Sequence, residues 1–120
     1  MASTKGVTVL HNNATLTAGA GDTTSSSWDL QDGYGGTLYV KLTNGGTGPT
    51  VAAQVQVQAS PDDSNWYDVG GPLVGSTSNS AVSSWKVPID IGDKYVRTVS
   101  GSNTGQNVTI RVEGVEVSAV

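Results

Sequence analysis

Residues 53–59 read Ala-Gln-Val-Gln-Val-Gln-Ala, and no other stretch limits the fold so tightly. A period of two puts Ala53, Val55, Val57 and Ala59 on one face of an extended strand and Gln54, Gln56 and Gln58 on the other. A helix cannot gather that set on one stripe, which needs apolar residues three and four apart. The same alternation recurs in residues 37–43, where Leu38, Val40 and Leu42 oppose Tyr39 and Lys41. It returns in Trp85, Val87 and Ile89, and again in Val108, Ile110 and Val112. No stretch keeps helical spacing beyond one turn.

Turn signals separate these runs: Asp32-Gly33-Tyr34-Gly35-Gly36, Asn44-Gly45-Gly46, Ser60-Pro61-Asp62-Asp63, Gly70-Gly71-Pro72 and Ile91-Gly92-Asp93. Their spacing predicts an all-β fold, an antiparallel two-sheet β-sandwich of Ig-like or jelly-roll-like kind with roughly seven to nine strands. Pro88 cannot donate to a ladder, so its run is expected at a sheet edge or a bulge. At the C-terminal end, Val112 is in phase with Gly114, but Val115 and Val117 are not. That phase change predicts a bulge or bend at Gly114. Residues 1–6 are expected to form a flexible arm, residues 7–120 a single sandwich domain, and Ser76–Ser80 a mobile loop.

Charged residues make up 13% of the chain, against the ~25% usual for soluble domains. Three Trp and four Tyr accompany frequent Val, which argues for a folded domain over disorder. The net charge of −4 comes with only six basic residues, scattered singly, which argues against a basic nucleic-acid face. No apolar run reaches membrane-spanning length, and the first residues lack the apolar core of a signal peptide. The chain is therefore expected to be made in the cytoplasm.

Catalytic groupings are not found. His11 is the single histidine and Cys is absent, which removes the usual His/Cys zinc sites and disulfide staples. His11, beside Asn12 and Asn13, reads as a surface residue. No Gly-x-Ser-x-Gly elbow occurs, and the Gly clusters lack the following helix that a phosphate loop needs. Asp62–Asn65 and Asp90–Asp93 are rich in oxygen ligands, but neither has the spacing of a calcium loop. Asp and Asn in such positions ordinarily bond nearby backbone. No catalytic, cofactor or metal residue is assigned, and the chain is read as a non-enzyme.

Aromatic residues are the remaining candidates for contact. Trp28 and Trp85 sit in phase with apolar neighbours and read as core. Trp66-Tyr67 follows a turn, and in an extended segment one of the two must face outward.

Three segments together resemble small β-sandwich virion proteins of tailed bacteriophages, of the head decoration or cement kind. They are Tyr34–Gly45, Gln54–Tyr67 (with Ser60-Pro61-Asp62-Asp63-Ser64-Asn65-Trp66-Tyr67), and Lys94-Tyr95-Val96-Arg97 followed by Asn103–Ile110. The resemblance implies a capsid decoration protein, seated on the outside of a phage head and stabilising it by multivalent contact. Its partners would be the major capsid protein and further copies of itself, in a trimer. Such proteins act through surfaces, and the surfaces expected here are three: Ala2, Ser3, Thr4, Lys5, Gly6 and Val7 as a clamp, Trp66 and Tyr67 as contacts, and Gln54, Gln56 and Gln58 as an assembly face. The alternative is a carbohydrate-binding or adhesive module of a phage fibre or cell surface, touching host glycan, or a tail or neck component.

Overall fold

The computed structural model describes residues 4–30 and 35–119. Ala2 and Ser3 of the expected clamp, and Asp32 to Tyr34 of one turn signal, lie outside them. Ten strands are formed among the described residues: β1 (Thr4–Leu16), β2 (Thr23–Thr24), β3 (Trp28–Asp29), β4 (Gly36–Asn44), β5 (Gln54–Ser60), β6 (Tyr67–Asp68), β7 (Leu73–Val74), β8 (Val82–Ile89), β9 (Tyr95–Gly101) and β10 (Val108–Ala119). β2, β3, β6 and β7 are two-residue pairings that patch the longer strands. The fold is the expected all-β sandwich of two antiparallel sheets. One sheet runs β1-β10-β4-β8, and the other runs β2-β9-β5-β6 with β3 on β9 and β7 on β5.

The alternating runs supply the inner faces. Leu38, Val40 and Leu42 of β4 and Val108, Ile110 and Val112 of β10 are fully buried against Val55, Val57 and Val96 of the other sheet. Burying each such side chain stabilises the fold by about 1.5–3 kcal/mol. Trp28 is buried, and Trp85 is half-buried against the same cluster, as their phase predicts. β8 is an edge strand, so Pro88 costs no ladder bond on its free side.

Gly114 is not a bulge. β10 pairs with β4 without interruption from Val108↔Asn44 to Glu116↔Gly36. The register shifts fall instead on β1, between Thr4 and Lys5, Val9 and His11, and His11 and Ala14. Gly114 occupies a core-facing position where a Cβ would lie 2.5 Å from the Trp28 ring. The apolar pattern changes phase because Val115 and Val117 face outward, not because the strand slips.

The arm expectation also needs correction at Thr4, Lys5 and Gly6. These residues belong to β1 and pair with Ala119, Val117 and Glu116. Once β10 extends that far, its backbone groups need partners, and the first residues of the chain supply them. His11, expected at the surface, is half-buried. The bulges on either side set it opposite core-facing Val112, and its Nε2 is buried without a partner among the described residues.

The segment 76–80 is tied down rather than loose. The buried Asn44 side chain donates to the carbonyls of Ser76 and Ser78, both at 2.8 Å. Ser80 N–H donates to the Gly45 carbonyl, and Gly48 N–H donates to Asn79 Oδ1.

Candidate functional site

Alternation that fills the core on one side of the β1-β10-β4-β8 sheet sends a second set of side chains outward. On β4 these include Tyr39 and Lys41, on β8 Ser84 and Lys86, and on β10 Arg111 and Glu113. The pairings Tyr39↔Lys86, Lys41↔Ser84, Arg111↔Lys41 and Glu113↔Tyr39 bring the six into one patch. They line a groove of about 540 Å³ across the three strands. Its walls are held in place. Arg111 Nε donates to Glu113 Oε1 at 3.2 Å, and Arg111 Nη1 donates to Asn12 Oδ1 of β1 at 2.7 Å. Lys86 Nζ lies 5.7 Å from the centroid of the Tyr39 ring, within cation–π range. Lys41 and Lys86 form no ion pair among the described residues.

Beside the groove, on the β1 side of the same face, lie four valines. Val7 pairs with Val115, Val9 with Glu113, and Lys5 with Val117, so Val7, Val9, Val115 and Val117 share the outward side. Val7 is 64% exposed and Val9 43%. An apolar band on the solvent side of a sheet departs from the usual polar-out pattern.

The other sheet presents Gln54, Gln56 and Gln58 outward, as expected, but half-buried, with Gln56 and Gln58 engaged by neighbours. Gln58 accepts from Arg97 Nε at 2.9 Å and donates to Asp68 at 3.1 Å. Gln56 donates to the carbonyls of Val57 and Gly70. Trp66 covers the Arg97 guanidinium at 4.1 Å from its ring centroid, so its face is occupied within the chain. Tyr67 is the outward member of the pair, 63% exposed, in a small cleft with Pro61, Gly92 and Asp93.

The Asp62 loop is a hydrogen-bonded turn. The Asp62 carboxylate accepts from Asn65 and Ser64 N–H, from the Asn65 side chain and from the Ser60 hydroxyl. Backbone N–H from Asn65, then its side chain, hold the Asp62 pKa well below the usual carboxylate range. Both oxygens face donors of the loop itself. Among the described residues, no group of three or more His, Cys, Asp or Glu is placed to hold a metal ion. Among the same residues, no helix is long and apolar enough to cross a membrane.

The expected contact residues are thus dispersed. Val7 falls on the valine band, Tyr67 at one end of the sandwich, and the Gln ladder on the opposite sheet. Tyr39, Lys86 and Arg111 carry the groove, and sequence reasoning did not single them out. Tyr39 and Lys41 were legible as an outward pair, but their convergence with β8 and β10 depends on strand order. The phase change after Val112 was the visible trace of the valine band.

No family model and no curated protein matches the sequence. Solved structures do match in fold. The SPBc2 prophage-derived protein YomS aligns with a TM-score of 0.61 at 17% identity, over 98% of this chain and 96% of that one. A protein of the Bacillus endospore appendages, described as a family of disulfide-linked pili, aligns at 0.55 and 10% identity, over 98% of this chain and 89% of that one. A family 29 carbohydrate-binding module from Piromyces equi aligns at 0.50 and 15% identity, over 92% and 90%. The likeness is one of fold, and the fold is that of β-sandwich modules, a prophage-derived protein among them.

Proposed function

We propose that this chain is a non-enzymatic virion structural protein, a decoration (cement) protein that seats on the outside of a phage head as an oligomer, with the major capsid protein and its own copies as partners. The observation that carries this reading is the outward valine band, Val7, Val9, Val115 and Val117, on an edge-containing sheet. Val7 and Val9 are exposed beside the partly exposed Val115 and Val117, and covering such a band stabilises a contact by about 25 cal/mol per Å² of apolar surface removed from water. Low charge supports the same reading, since few ionic groups need desolvating when surfaces meet. The fold likeness to a prophage-derived protein over nearly the whole chain also supports it.

The test is quantitative mass spectrometry of purified particles, joined to co-sedimentation of the purified chain with heads that lack it. The reading expects copies on the scale of the capsid lattice, and loss of co-sedimentation for Val7→Asp and Val9→Asp, which alter exposed positions. A few copies per particle would move the protein to tail, neck or fibre. Undiminished binding by both variants would remove the valine band from the interface.

A further inference from the structure

We infer that the groove over β10, β4 and β8 is a binding site for an acidic saccharide, with Tyr39 as the stacking ring and Lys41 and Lys86 as the anion contacts. Charge complementarity is the first argument. The chain carries −4 overall, yet three of its six basic side chains, Lys41, Lys86 and Arg111, meet in this one groove with Glu113 as the single carboxylate among its lining residues. Glu113 and Asn12 hold the Arg111 guanidinium, so its position is set before any ligand arrives. Neither lysine meets an acid among the described residues, and Lys86 lies over the Tyr39 ring, 5.7 Å from its centroid, so ring and ammonium stand side by side.

The second argument is what the groove does not offer. β10 and β4 are interior strands whose backbone groups are used by neighbours on both sides. An extended peptide binds sheets through unpaired edge backbone, and among the groove strands that is found only on the outer side of β8, away from β4. What the floor presents outward is side chains: an exposed phenol ring, a serine hydroxyl, two ammonium groups, and a guanidinium held by the Glu113 carboxylate. A flat ring beside charged and hydroxyl donors fits a sugar ring that bears a carboxylate or phosphate. Single-stranded nucleic acid also uses rings and cations, but it wants a basic track along its backbone, whereas Arg97, on β9, belongs to the opposite sheet. The valine band covers the β1 side of the face and the groove the β8 side, so the site goes beyond the capsid reading.

The experiment is amide chemical-shift titration of the full chain at low salt with trigalacturonate, sialyllactose and mannose 6-phosphate. Maltotriose, hexaglutamate and an oligothymidylate serve as comparisons. Expected are shifts at Tyr39, Lys41, Lys86 and Arg111 with at least one acidic saccharide, and none with maltotriose. The double variant K41Q/K86Q and Tyr39→Leu should each weaken binding by about tenfold or more, a loss of 1.4 kcal/mol. Unchanged shifts elsewhere in these variants would show the fold intact. No groove shifts with any of the three acidic saccharides would overturn the assignment. Tighter binding of hexaglutamate or oligothymidylate would overturn it in favour of that ligand class. Head co-sedimentation is read separately, so failure of one reading leaves the other standing.

Discussion

The indole of Trp28, carried by one sheet, lies across the α-carbon of Gly114 in the other, so closely that a Cβ there would sit within 2.5–2.7 Å of three ring atoms. Trp28 pairs with Val96 of β9, and Gly114 pairs with Leu38 of β4. The ring thus spans the sandwich and fills the space that a side chain at 114 would need. Gly114→Ala is expected to destabilise the protein by about 1–3 kcal/mol through overpacking, read as a lower denaturant midpoint with an unchanged slope. Trp28→Leu removes the obstruction while opening a cavity of its own. In the double variant the Gly114→Ala cost should shrink, giving a coupling energy that a bulge-forming glycine would not produce.

That contact explains where sequence reading stopped. The alternation of residues 53–59 and 37–43 was enough for the sandwich, because a period of two leaves only one way to bury Val55, Val57, Leu38 and Val40. Gly114 was misassigned because the reason for it sits on Trp28, in another sheet, and composition around residue 114 carries no trace of that. The same limit hid the groove. Tyr39, Lys86 and Arg111 meet only because β4 lies between β8 and β10, and strand order is not written in local periodicity. His11 reads as polar and exposed until two bulges in β1 turn it inward.

Thr98 offers a gain rather than a loss. It faces the core opposite Val57, fully buried, and its Oγ1 has no hydrogen-bond partner among the described residues. A buried hydroxyl left unsatisfied costs about 1–3 kcal/mol. Thr98→Val keeps the shape and exchanges the hydroxyl for a methyl. Its expected effect is a stabilisation of about 1 kcal/mol or more by chemical denaturation. A loss of stability would mean that the hydroxyl has a water or backbone partner in solution.

Asn44 ends β4 and fastens the 76–80 segment through two hydrogen bonds from one amide. Asn44→Ala leaves both carbonyls to find water and removes the tether. The expected cost is about 1–3 kcal/mol, and amide exchange at Ser80, whose N–H bonds to Gly45, should quicken. Exchange in β5 and β9 should slow or quicken only with global stability. If Ser80 protection survives in the variant, the segment is held by Gly48 and Asn79 instead.

His11 gives the fold a pH dependence whose sign follows from its burial. Desolvation lowers its pKa in the folded chain below the ordinary value of 6.5. Between the folded value and 6.5 the unfolded chain binds the extra proton, so stability rises with pH across that window. The stabilising state, neutral His11, is fully present above 6.5, and stability falls as the solution is acidified through that value. Asp62 does not confuse the reading, because its carboxylate stays ionised well below this range. Urea midpoints at roughly pH 7.5 and roughly pH 5.5 bracket the window. The native chain should lose stability at the lower pH, and His11→Gln should lose less. An equal loss in both would assign the acid sensitivity to groups other than His11.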